Sequence, residues 1–228
     1  MTYLVGIDGC KGAWISVSLE VDSRQLVWNK RCLLSDLLEQ TPTAEIVGID
    51  IPIGLPKKGP RACDLKARKL LVERGSSVFP APILAVLEAN SYREACDIRF
   101  ALEGKRMSQQ AWAIVPKVRE VHLLLQQRAD YKSVLHEVHP EVSFFCMGKQ
   151  PNNYSKKKSL GINERMSRLS QFFEVSRGYI STMRHEYRTS ADDIVDALAA
   201  LWSADRILQG KNITLGEDED PGGPKIYA

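Results

Sequence analysis

Three features of the sequence predict an α/β fold. Two short apolar runs, residues 3–8 and 45–50, each end in aspartate (Asp8 and Asp50) and suit strands buried on both faces. Between them, residues 13–19 alternate, with Ile15, Val17 and Leu19 on one side and Trp14, Ser16 and Ser18 on the other, as a half-buried strand does. The remaining long segments carry apolar residues at helical spacing.

Taken in order, the first run and the alternating segment flank Gly9 and Gly12, which predicts a hairpin. A third strand is expected over residues 26–33, a short helix over 35–40, a fourth strand over 45–50 and a fifth over 134–138. Residues 51–131 read mostly as helix, interrupted by Pro52, Pro56, Pro60, Pro80, Pro82 and Pro116. That is far more chain than a simple crossover needs, so a helical insertion between strands 4 and 5 is expected within one domain spanning residues 1–228. Ile162, Met166, Leu169 and Phe173 share one helical face, and a last helix runs over residues 190–209 with Ile194, Leu198, Leu201 and Leu208 as its stripe. A short final strand is expected at 225–227.

Composition narrows the function classes. The 228 residues are 44% apolar and 26% charged, which suits a packed domain and excludes disordered or fibrous chains. No apolar run reaches the roughly 20 residues of a membrane span. The start carries no basic n-region, and five dispersed cysteines (Cys10, Cys32, Cys63, Cys96, Cys146) form no CxxC pair. A reduced, cytoplasmic protein without a disulfide framework or thiolate zinc site is therefore expected. The net charge of +3 hides a division. Glu217-Asp218-Glu219-Asp220 carries four negatives, and elsewhere 31 basic side chains face the other 24 acidic ones. Positive charge gathers at Lys57, Lys58, Arg61, Lys66, Arg68, Lys69 and Arg74, and again at Lys156, Lys157 and Lys158. It reads either as a phosphate-binding surface or as solvated faces.

The carboxylates carry the chemistry. Ligands of α/β sheets gather at strand ends, where Asp8 and Asp50 fall; the alternative is a pair of turn-forming aspartates. In Ser190-Ala191-Asp192-Asp193-Ile194-Val195-Asp196, a capping box accounts for Asp192 and Asp193 but not for Asp196, which lies deeper beside the apolar stripe. Asp193 and Asp196 share a helix face, where like charges repel unless a cation lies between them. In His136-Glu137-Val138-His139-Pro140-Glu141, strand alternation would put Glu137, His139 and Glu141 on one side, although Pro140 ends the strand. The group reads as a metal or proton-transfer site, or as a polar strand end. Cys10 reads as a nucleophile or, without a histidine at a pairing distance in sequence, as a buried structural thiol. Trp112 and Phe79 read as base-stacking platforms or as core.

Eight segments in order carry a resemblance over the whole chain: Gly6-Ile7-Asp8-Gly9-Cys10-Lys11-Gly12-Ala13-Trp14, Gly48-Ile49-Asp50-Ile51-Pro52-Ile53-Gly54-Leu55-Pro56, Arg61-Ala62-Cys63-Asp64, Ser76-Ser77-Val78-Phe79-Pro80-Ala81-Pro82, Ser108-Gln109-Gln110-Ala111-Trp112, Pro116-Lys117-Val118-Arg119-Glu120, Glu137-Val138-His139-Pro140-Glu141 and Asp192-Asp193-Ile194-Val195-Asp196-Ala197-Leu198-Ala199. With them the chain resembles domain-of-unknown-function family 429, a group of predicted nucleases. The resemblance implies a ribonuclease H-like mixed sheet with helices on both faces. The carboxylate pattern is also similar to that of Holliday-junction resolvases of that fold, which place one carboxylate after the first strand, one after the fourth and an Asp-x-x-Asp pair in the last helix.

On that resemblance Asp8, Asp50, Asp193 and Asp196 are the expected metal ligands, with Glu141 a further catalytic carboxylate. The cofactor implied is Mg²⁺ or Mn²⁺, as two ions roughly 3.5–4 Å apart. Lys57, Lys58, Arg61, Lys156 and Lys157 are the expected substrate-binding residues, holding a nucleic acid or nucleotide through its phosphates. The reading is a metal-dependent nuclease. Two alternatives stand beside it: a non-catalytic nucleic-acid or nucleotide-binding regulatory protein on the same scaffold, and an actin-like phosphotransferase. A homodimer stays open.

Overall fold

The computed structural model describes residues 1–41, 43–156, 158–216 and 222–228. Its centre is a five-stranded sheet of β1 (Tyr3–Cys10), β2 (Ala13–Glu20), β3 (Leu26–Arg31), β4 (Ala44–Ile49) and β5 (Leu135–Glu137), in the order β3-β2-β1-β4-β5. The first three strands form an antiparallel meander. Its first turn is Lys11-Gly12 between the paired Cys10 and Ala13, with Gly12 at a φ of 66° that a side chain would strain. Strands β1, β4 and β5 run parallel. This mixed α/β sheet is consistent with a ribonuclease H-like fold.

Helices cover both faces. One face packs Val5, Ile7, Val47 and Ile49 against α1 (Leu34–Glu39) and α4 (Gln109–Gln127), with α3 (Tyr92–Glu103) beyond them. The other packs Leu4, Ile15, Val17 and Leu19 against α5 (Pro140–Gly148), α6 (Ser159–Leu169), α7 (Arg177–Glu186) and α8 (Ala191–Leu208). Between β4 and β5 the chain passes through α2 (Ala62–Leu70), α3, α4 and three 3₁₀ turns. A β6 (Thr214–Leu215) and β7 (Ile226–Tyr227) ribbon sits over α2.

The structure departs from the sequence expectations at four places. Strand β2 is buried on both faces, Ser16 and Ser18 included, because helices cover the side that alternation left to solvent. Strand β5 stops at Glu137, and Pro140, at the first position of α5, starts a helix that the sequence reading did not include. Glu137, His139 and Glu141 therefore do not share a strand face. Helix α7, with Ser176 as its N-cap, was also not anticipated. Helix α6 ends at Leu169, short of Phe173, which is buried nonetheless.

Helix α8 lies unusually close to the sheet, and two glycines permit it. Gly6 and Gly48 are register partners on β1 and β4. A methyl group on Gly6 would overlap the Ala197 carbonyl oxygen, and one on Gly48 would stand 2.5 Å from that of Ala200. The obstacle is backbone on both sides, so neither can yield alone. Gly6→Ala is therefore expected to cost about 2–3 kcal/mol, by lifting α8 from the sheet. Denaturant unfolding checks it: a variant as stable as the wild type would mean that the helix does not rest on Gly6.

Candidate active site

The close seat of α8 brings the acidic residues together. Asp8 lies two residues beyond Gly6, on the strand face that α8 covers. Asp50 follows β4, and its backbone N–H donates to the Ile7 carbonyl at 3.0 Å, so the two carboxylates leave neighbouring strands side by side. From above, α8 contributes Asp196, one turn inside its N-terminus. Asp8 is 8% exposed and Asp196 2%. With Asp193, Glu141 and His139 they line one cavity of about 680 Å³.

Burial and mutual repulsion dominate the electrostatics. Burial, with the charges of Asp50 and Asp196, pushes the Asp8 carboxyl well above the ordinary aspartate range. Burial pushes Asp50 and Asp196 up to about 6, against the pull of Lys156. Asp8 Oδ1 accepts the Gly9 backbone N–H at 2.7 Å, while Asp196 Oδ1 is buried with no hydrogen-bond partner. Such an orphan lone pair is costly unless something completes it.

Lys156 neutralises the cluster. Its ammonium donates to Asp196 Oδ2 at 2.5 Å and also feels the charges of Asp50 and Asp8. The Asp196 carboxylate outweighs burial and holds the ammonium above its ordinary range, so it stays protonated. This residue, expected on substrate phosphate, lies instead against the carboxylates. Among the described residues no three or more His, Cys, Asp or Glu side chains stand in a ready metal-holding arrangement.

The other expected residues divide. Asp193 closes the capping box with Ser190, its Oδ2 accepting the Ser190 backbone N–H at 3.0 Å and the Thr189 hydroxyl at 2.5 Å. It reaches the cavity with one oxygen already committed to the helix end. Glu141, in the first turn of α5, pairs with Arg165 and accepts from Asn152 Nδ2 at 3.1 Å. Burial pushes its carboxyl up, but Arg165 and the hydrogen bonds prevail and hold it below the usual range.

Arg61 is a correction. It is 4% exposed, and all five of its N–H donors are taken. Two go to Glu137, both at 2.7 Å, two to Asp64 at 2.5 and 3.1 Å, and Nη1 also reaches the Ile53 carbonyl at 3.1 Å. Nothing remains for a phosphate, so Arg61 is a structural tie between the segment after β4 and the end of β5. Lys57 and Lys58 are exposed and outside the cavity lining. Lys157 and residues 217–220 lie outside the described residues. Cys10 is buried and its thiol is pushed up by that burial, which removes the nucleophile alternative. Trp112, in the first turn of α4, packs half-buried against the core, whereas Phe79 lines the cavity.

Three further residues line the cavity. His139 follows Val138, whose N–H donates to the Ile49 carbonyl at 3.0 Å, and so stands beside Asp50. Burial pushes its pKa down, and its Nδ1 is buried without a partner. Lys117, on α4, donates to the Ala13 carbonyl at 2.5 Å and lies 4.1 Å over the Trp14 ring. Arg74 also lines the cavity. The sequence marks His139 as part of a metal or proton-transfer group, whereas nothing local distinguishes Lys117 from a surface lysine.

No curated protein and no solved structure matches the chain. One family does: residues 6–220 match the family described as "Protein of unknown function (DUF429)". The match runs from the strand that carries Asp8 past the helix that carries Asp196, and by it the chain belongs to that family.

Proposed function

We propose that the chain is a metal-dependent phosphodiesterase acting on nucleic acid. One observation supports this above the rest: Asp8, Asp50 and Asp196 meet from three separate elements on one cavity, with Asp196 Oδ1 buried and unpartnered. Carboxylate oxygens without thiolates suit a hard divalent cation, Mg²⁺ or Mn²⁺. When bound, such an ion makes a nucleophile of its water and stabilises charge on the departing 3′-oxygen. Asp8, Asp50 and Asp196 would hold it, with the uncommitted oxygen of Asp193 beside them.

Lys156 and a cation would neutralise the same carboxylates, so Lys156 would give up Asp196 where that carboxylate holds the ion. Its ammonium then faces the cavity, where a phosphate oxygen is its natural partner. Burial favours the neutral form of His139, and its unpartnered Nδ1 would take or deliver a proton. Glu141, held ionised by Arg165, fixes that wall of the cavity rather than transferring a proton.

The reading is tested by incubating labelled DNA and RNA oligonucleotides with the protein and Mn²⁺. Wild type is expected to cleave at least one class, and Asp196→Asn to lose about 10³-fold while keeping its circular dichroism spectrum. No cleavage together with no Mn²⁺-dependent thermal shift would overturn it. The existing Lys156–Asp196 ion pair favours the second reading, a binding scaffold whose carboxylates are permanently neutralised from within.

Lys156→Ala separates the two. If the lysine yields to a cation, the variant melts lower than wild type in EDTA at pH 8 but binds Mn²⁺ about fivefold tighter by calorimetry, the scale of one partly exposed ion pair. If the lysine is a permanent occupant, Mn²⁺ binds neither protein.

A further inference from the structure

The cavity has a second wall that the carboxylates do not explain. Arg74 comes from the 3₁₀ turn Val72–Ser77 that follows α2. Its Nε–H donates to the Asn152 carbonyl at 2.9 Å, and Asn152 Nδ2 donates to Glu141 Oε2 at 3.1 Å. The guanidinium is thus tied, through one residue, to the acidic side of the cavity. Its Nη2 is buried without a partner, and among the described residues no carboxylate pairs with it. Arg61 and Arg165, which are buried outright where Arg74 is half-buried, each have carboxylates. A buried guanidinium nitrogen with no acceptor is costly, and an anion entering the cavity would complete it.

Two neighbours suggest which anion. Ser76 and Ser77 line the same wall, and Ser77 Oγ–H donates to the Arg74 carbonyl at 2.7 Å, bracing the turn. Phe79 follows, lining the cavity while 46% exposed. An arginine that seeks a phosphate and an uncovered aromatic ring five residues away match the two ends of a nucleotide.

We propose that Arg74 and Phe79 form a nucleoside-phosphate subsite, with Arg74 taking the phosphate and the Phe79 ring stacking the base. The choice of this ligand rests on the phosphodiesterase reading, but the subsite works by binding alone. It selects unpaired nucleotides, because a base within a duplex is already stacked on both faces and has no free face for Phe79. The same chemistry is presented by a single strand and by a free mononucleotide.

The test is fluorescence anisotropy of a labelled oligothymidylate about ten nucleotides long, in EDTA, at fixed low salt. Wild type is expected to bind. Arg74→Gln and Phe79→Ala, each checked for an unchanged melting temperature, should bind about tenfold more weakly, and a duplex of the same length should compete about tenfold more weakly than the single strand. Competition by thymidine 5′-monophosphate as strong as by the oligonucleotide assigns the subsite to a free nucleotide; competition far weaker assigns it to a strand. No binding by the wild type, equal binding by Arg74→Gln, equal binding of duplex, or displacement by inorganic phosphate as strong as by the nucleotide would each overturn the subsite. No metal is present and no bond is broken in this assay. Failure to cleave with Mn²⁺ therefore leaves a positive result standing, and cleavage with unaltered Arg74→Gln affinity removes the subsite alone.

Discussion

Asp8→Asn should melt higher than the wild type in EDTA at pH 7–8 and show no rise with Mn²⁺. The substitution keeps an oxygen to accept the Gly9 N–H, and it removes a buried charge that repels Asp50 and Asp196. Its new amide has carboxylates to donate to. A gain of about 1–2 kcal/mol, or roughly 3–6 °C in a chain of this size, is the expected scale. The wild type, by contrast, should gain about 3 kcal/mol from Mn²⁺ at a hundred times its dissociation constant.

The pH dependence runs in a definite direction. Burial holds Asp8, Asp50 and Asp196 above the ordinary aspartate value of 3.8 in the folded state, the latter two at about 6. The folded state therefore holds these protons longer than the unfolded chain does. As pH rises from about 4 through 6 and beyond, ionisation at this site removes stability, and as pH falls the stability returns. The advantage of Asp8→Asn in EDTA should accordingly shrink toward pH 5. A variant that merely melts lower at every pH, with a wild type indifferent to Mn²⁺, would make Asp8 a structural residue and remove the metal site.

Arg61→Ala is expected to be the most destabilising single change, by about 3–5 kcal/mol. It would strand Glu137 and Asp64, both buried, without their shared counter-charge. The tie also fixes Ile53, whose backbone N–H donates to Glu137 Oε2 at 2.6 Å, so the segment following Asp50 would lose its anchor. Chemical denaturation reads the loss directly. A folded Arg61→Ala of near wild-type stability with weakened oligonucleotide binding would instead return Arg61 to the substrate.

These residues also show how far sequence reasoning reaches. Asp8 and Asp50 were legible because apolar runs that end in aspartate are unusual, and a strand's own pattern marks its end. Asp196 was legible as the acidic residue that helix capping did not require. The closure of Arg61 on Glu137 was not legible: a basic residue in a basic stretch looks solvated until the partner 76 positions away arrives. The ion pair of Lys156 was hidden for the same reason, its partner Asp196 lying 40 positions on. Ser16 and Ser18 read as exposed because alternation reports one covered face and cannot report the helices that cover the other.

The sequence by itself determined the five strands of the main sheet in outline, the last helix and the family, because these are set by local periodicity, capping and motif order. Tertiary packing alone decided which charges meet. Gly6 and Gly48 let α8 approach β1 and β4 closely enough for Asp196 to reach Asp8 and Asp50. Burial then converts three ordinary aspartates into a strained cluster, because removing water raises the cost of every unpaired charge. That cost, invisible in any single segment, is what draws Lys156 inward.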